Sequence, residues 1–250
     1  MPSIPPDPFP AQLEAVLEAR PAFFSFTFGI PSADSLKRLR QQGIVTIGTA
    51  TTVAEAQLLE KAGVAAIVAQ GAEAGAHRGT FLGSFESSMV PTLDLVRTIR
   101  RAVSVPVIAS GGLMTGGEIA KAFEAGASAA QLGTAFLTCP EAGTPEAHRL
   151  AILTARTDTT LITRAFSGRP ARGLRNAFIE KLRGKENYIL PFPLQNTLTR
   201  TMRAAAAKKG DVGYLSLWAG QGVTRVRALP AAELVAQLVA ELNEAGVTLP

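Results

Sequence analysis

The stretch VAEAQLLEKAGVAAIVA, residues 53–69, holds a helix, its stop and a strand in one line. Apolar residues in 53–62 recur at i, i+3 and i+4, the period of one helical face, and Gly63 ends the run. From 64 to 69 the chain is continuously apolar, as expected of a strand covered on both faces rather than wetted on one. The same unit recurs on either side. Before it stand 35–42, Gly43 and 44–47; after it come 92–103 with 105–109, then 118–125, Gly126 and 128–132. A glycine just after a helix supplies the left-handed residue that stops it, and Pro106 falls near a strand start, where a missing N–H does least harm. Adding the apolar run 23–28 and the helix 11–19 before it gives about five βα units with a parallel sheet. The predicted class is therefore α/β, a (β/α)8 TIM-barrel type that is incomplete. Five units are too few to close an eight-stranded barrel, so partner chains or a further N-terminal segment must complete it.

After Phe136 the texture changes. Pro140 and Pro145 interrupt the chain, a helix is predicted over 146–155, and no comparable strand repeat follows. The sequence divides into a partial barrel over 1–145, a mainly helical substrate or lid region over 146–218, and a C-terminal segment, 219–250, whose helix over 231–245 returns to the barrel.

Composition narrows the function classes. The 250 residues are 47% hydrophobic and 18% charged, with a mean hydropathy of +0.20, ample for a sizeable core, and every apolar run is too short to cross a bilayer. The opening MPSIPP has neither the basic nor the apolar region of a secretory signal, which predicts a cytoplasmic location. Cys139, the one cysteine, rules out an intrachain disulfide, and two histidines far apart suggest no metal site. The net charge is +5. With no basic block and no basic stretch interleaved with aromatics, that charge points to anionic small molecules rather than nucleic acid.

In a parallel α/β barrel the ligand site lies at the C-terminal ends of the strands. SGGLMTGG at 110–117 and QLGTA at 131–135 follow consecutive strands. Glycines there are ordinary turn chemistry, yet they also let backbone N–H groups converge on a phosphate, with the following helix adding the positive end of its dipole. No GxxxxGK[ST] or Rossmann context is present, so a mononucleotide such as FMN fits better than a triphosphate or dinucleotide. A third loop, QGAEAGAHRGTF at 70–81, places His77 at a strand end among small residues. An imidazole titrating near neutrality can take or give a proton there, so His77 is the candidate base. Glu73 and Arg78 flank it without an assigned role, and His148, expected on a polar helix face, receives none.

QGAEAGAHRG at 70–79, VIASGG at 107–112 and QLGTAF at 131–136 together resemble the nitronate monooxygenases, formerly called 2-nitropropane dioxygenases. TRAFSGRPARG at 163–173 and SLWAGQ at 216–221 match the same family in the same order, so the resemblance covers nearly the whole chain from about Phe23. It implies FMN-dependent oxidation of alkyl nitronates, of the propionate 3-nitronate type, by O2. It makes His77 the catalytic base or substrate-orienting group. FMN contacts fall on Gln70, Gly75, Gly112 and the run Gln131, Leu132, Gly133 and Thr134, with Gly112 and that run on the phosphate. A nitronate is an electron-rich carbanion equivalent, so oxidised flavin can accept an electron from it while the histidine manages the proton on the nitro compound. Two departures stand out. The family has two glycines before the histidine where this chain has Gly75-Ala76, and its members begin with further βα units that do not precede Pro21. The alternatives are a flavin-dependent enoyl-acyl-carrier-protein reductase and a non-catalytic barrel remnant. Open sheet edges predict self-association.

Overall fold

A computed structural model describes residues 6–156 and 160–248. Helix α1 (Phe9–Ala19) leads into β1 (Phe23–Phe26). There follow α2 (Ala33–Gln41), β2 (Val45–Ala50), α3 (Val53–Lys61), β3 (Ala66–Gln70), a two-residue strand β4 (Ala76–His77), α4 (Thr92–Ala102), β5 (Val107–Ser110), α5 (Gly116–Glu124) and β6 (Ala129–Gln131). Five of these strands form one sheet in the order β1-β2-β3-β5-β6, each pair parallel, as the repeat predicted. Three of its helices start on hydroxyl caps. Ser32, Thr52 and Thr115 accept the N–H groups of Ser35, Glu55 and Glu118, satisfying donors that a helix start leaves open. Gly63, at φ +81°, follows the end of α3 as its position in the repeat required.

Both faces of the central strands are covered. Ile67, Ala69, Val107 and Ala109 are fully buried, and Leu39, Leu59, Val96 and Ile99 meet them from the helices. Truncating Leu59 to alanine in such a core costs about 2–5 kcal/mol. Among the described residues the sheet does not close: β1 and β6 are its edges, and Phe23 on β1 is 64% exposed.

The remaining elements are α6 (Glu146–Leu153), β7 (Thr160–Thr163), β8 (Ala171–Leu174), α7 (Ala177–Leu182), α8 (Leu194–Lys209) and α9 (Ala231–Glu244). Leu234, Leu238 and Leu242, four apart on α9, pack on Met114, Ile119 and Ala120 of the α5 unit. The Glu241 carboxylate also accepts the Gly116 N–H at 2.7 Å. A feature absent from the sequence reading is a second, antiparallel sheet, β4-β8-β7. The segment 171–174 reads ARGL, too polar and too glycine-rich to suggest a strand, yet all four residues are buried. Arg172 tolerates this because Nε and Nη2 both donate to the Ala72 carbonyl, at 3.1 and 3.0 Å.

Candidate active site

The carboxyl ends of β3, β5 and β6 open onto a cavity of about 390 Å³. Gln70, Gly75, Gly112 and the run Gln131, Leu132, Gly133 and Thr134 all line it, although their positions span more than sixty residues of sequence. The turn after β5 needs its glycines: Gly111 sits at φ +130° and Gly112 at +71°. The backbone N–H groups of Gly112, Gly133 and Thr134 have no hydrogen-bond partner among the described residues, so they stand ready for an anion. The start of α5 behaves differently from the expectation of a helix terminus offering its donors. Met114 and Thr115 donate to the Glu118 carboxylate at 2.8 and 3.1 Å, and Gly116 donates to Glu241. With those donors already on carboxylates, an anion in the cavity is left with the loop N–H groups.

His77 lies outside the cavity lining, one residue beyond Ala76 and in ring contact with Trp218 at 5.4 Å. It belongs to a strand rather than a free loop, since β4 pairs with β8 through His77 and Ala171. Its Nε2 is 2.8 Å from the hydroxyl of Ser167, a residue only 2% exposed. That hydroxyl can also donate to the Arg169 carbonyl at 3.1 Å. When it does, Nε2–H is the donor to Ser167 and Nδ1 carries the free lone pair. Burial holds the His77 pKa below its ordinary value, and the guanidinium groups of Arg169 and Arg203 push the same way. The imidazole is therefore uncharged at neutral pH, the form a base requires.

The loop between β3 and β4 is fixed from inside. Gln70 Nε2 donates to the His77 carbonyl at 3.1 Å, and Gln70 Oε1 accepts the Gly79 N–H at 2.8 Å. Arg78, 1% exposed, donates to the carbonyls of Gly71, Gln70 and Ser88, and burial lowers its pKa to about 10, so it stays charged. The Glu73 carboxylate accepts the Thr92 N–H and hydroxyl at 2.9 and 2.6 Å. Both residues, left without a role by the sequence, are thus tied into the structure. Gly75 has a structural reason to be glycine: a Cβ there would stand 2.6 Å from the Gly220 backbone nitrogen. Ala76 next to it has φ +60°, so the departure from a second glycine falls where a side chain is strained, by roughly 1–2 kcal/mol.

The segment 216–221 lies across the cavity. Gly220 N donates to the Thr134 hydroxyl at 2.9 Å and Gln221 N to the Glu73 carbonyl at 3.0 Å. Trp218 and His148 both line the cavity. Sequence reasoning gave His148 no role and named Ser167 and Trp218 only as parts of motifs. Their partners lie 70 to 90 residues away in the chain, beyond the reach of local periodicity.

A family model described as nitronate monooxygenase matches residues 3–241. The chain belongs to the nitronate monooxygenase family. It is similar to probable nitronate monooxygenases of Staphylococcus aureus, with 42% identity in strain MSSA476 and 41% in MRSA252. Each match runs over 237 residues, 94% of this chain and 67% of the relative. Among solved structures, nitroalkane oxidase from Streptomyces ansochromogenes superposes with a TM-score of 0.89 at 46% identity, covering 95% of this chain and 69% of that one. FabK from Thermotoga maritima does so with a TM-score of 0.82 at 28% identity, covering 97% and 74%. Both fold and family agree with the resemblance carried by the loop motifs, and membership of the nitronate monooxygenases makes this protein an oxidoreductase. No described helix is long and apolar enough to cross a membrane.

Proposed function

We propose that this protein binds FMN in the cavity at the strand ends and oxidises alkyl nitronates, of the propionate 3-nitronate type, with O2. One observation carries the reading: the seven residues expected to touch the cofactor surround a single cavity, and His77, next in the chain to the lining residue Ala76, is in ring contact with the lining residue Trp218. The lining suits the group. Gly112, Gly133 and Thr134 offer N–H donors to a phosphate, a Cβ on Gly133 would meet nothing within 4 Å, and Leu132 and Trp218 offer apolar surface to a flat ring. When bound, FMN supplies the electron acceptor that links substrate oxidation to O2.

The chain's own residues supply the rest. His77 takes the proton from the carbon bearing the nitro group, leaving the nitronate, and Ser167 holds the ring in place during the transfer. Arg169 and Arg203, the cations that depress the His77 pKa, favour an anionic substrate beside it. Within this reading 1–145 is the flavin-binding part, 146–218 the substrate and lid region, and 219–250 the segment returned to the barrel.

The test is the visible spectrum of the purified chain before and after excess FMN is added and unbound cofactor removed, followed by O2 uptake on propionate 3-nitronate. A retained flavin spectrum with nitronate-dependent O2 uptake supports the proposal. Steady NAD(P)H consumption with an enoyl thioester would transfer the assignment to the reductase, and a chain that keeps no flavin would be a non-catalytic barrel.

A further inference from the structure

His148 lies on α6, in the region after the parallel sheet, and its side chain reaches the cavity wall beside Trp218. Its Nε2 is 3.2 Å from the Trp218 carbonyl oxygen. A carbonyl only accepts, so Nε2 carries a proton and donates in either charge state of the ring. The other end of the same peptide unit is also held: the Ala219 N–H donates to the Arg172 carbonyl at 3.3 Å. The plane between Trp218 and Ala219 is thus gripped on one side by α6 and on the other by β8. From that plane the Trp218 indole reaches His77 at 5.4 Å and Phe166 edge-on at 5.7 Å. Gly173 closes the arrangement, since a Cβ there would meet the indole Cε3 at 2.9 Å.

We propose that His148 is a positioning residue that holds Trp218 against His77, making the geometry of the base depend on the docking of α6. The proposal rests on the reading of His77 as the base, but the contact it concerns can be measured without substrate or flavin. Trp218 is the one tryptophan of the chain, so intrinsic fluorescence reports this position alone. A merely space-filling His148 would be replaced adequately by an apolar residue of similar bulk; a hydrogen-bonding one would be replaced only by another donor.

The experiment compares His148→Leu and His148→Gln with the unaltered full chain, by far-UV circular dichroism, Trp218 emission and its quenching by acrylamide, all without added FMN. The expected result is unchanged circular dichroism in both variants, with red-shifted emission and stronger quenching in His148→Leu. His148→Gln, whose side-chain amide can donate to the same carbonyl, returns both signals towards those of the unaltered chain. In the flavin-loaded protein, kcat/KM on a nitroalkane falls about three- to tenfold in His148→Leu, the equivalent of one neutral hydrogen bond, and recovers in His148→Gln. Emission and quenching unmoved by His148→Leu, or shifted equally in both variants, would overturn the proposal. Should the chain keep no flavin, the functional reading fails while the fluorescence comparison still decides the role of His148.

Discussion

The parallel sheet and the region over 146–218 reach the same cavity by opposite routes. In the sheet, each contributing loop follows its own strand, and its place is set by a recurring unit of helix, stop, strand and turn. In the later region, side chains cross long sequence distances to grip backbone. Arg172 takes the Ala72 carbonyl, Arg169 the Thr80 carbonyl, Gln195 the Ala165 carbonyl and Thr199 the Phe166 carbonyl. The end of the cavity formed by the loops after β5 and β6 is thus built locally, and the surroundings of His77 are built by tertiary contact.

If that division holds, substitutions at the two ends should fail in different ways. His77→Gln should lower kcat/KM on a nitroalkane by roughly 10²- to 10⁴-fold, the range for loss of a general base, while flavin content stays normal. Loss of flavin together with turnover would mean that the two ends are one unit. Gly133→Val should do the reverse. Its side chain projects into open space, so the fold is kept, but overpacking against a bound phosphate of about 1–3 kcal/mol weakens FMN roughly tenfold or more. Flavin fluorescence titration measures it, and unchanged affinity would remove Gly133 from the cofactor site.

Smaller effects sharpen the comparison. Ser167→Ala should reduce kcat/KM about three- to tenfold without altering flavin affinity, because it deletes one hydrogen bond to the base. Acid should act through both histidines, whose folded-state pKa values are lowered, mainly by burial. The unfolded chain then binds these protons more readily, so stability is full above about pH 6.5 and declines as pH falls through the lower folded values. Melting temperature against pH checks the direction, and replacing both histidines by glutamine should flatten the slope. Ala76→Gly should have the least effect: it relieves a left-handed alanine but adds freedom to the unfolded chain, leaving a net gain of at most about 1 kcal/mol, read by urea denaturation.

The same division explains what could be read in advance. The sheet was legible because its period is local: the glycine after α3, the apolar run 64–69 and the loops after β5 and β6 all declare themselves within a few residues. Around His77 the residue was legible but its setting was not. Its strand is two residues long, its partner strand contains a buried arginine, and Ser167 is 90 positions distant. Glu73 and Arg78 stayed unassigned because only tertiary structure supplies the Thr92 and carbonyl partners that hold them. His148 was unreadable for a related reason, since one helical turn of 146–153 looks the same whether it faces water or a tryptophan carbonyl.

The pairing of β4 with β8 has a consequence for how this protein comes apart. His77 is seated on a strand that exists only while two segments nearly a hundred residues apart stay docked, whereas the loops after β5 and β6 hang from strands knit into the main sheet. Under the proposed function, a gradually rising denaturant should open the seam before the sheet, so that turnover is lost at a lower urea concentration than the flavin colour. Between those two concentrations the expected species holds flavin but has lost its chemistry.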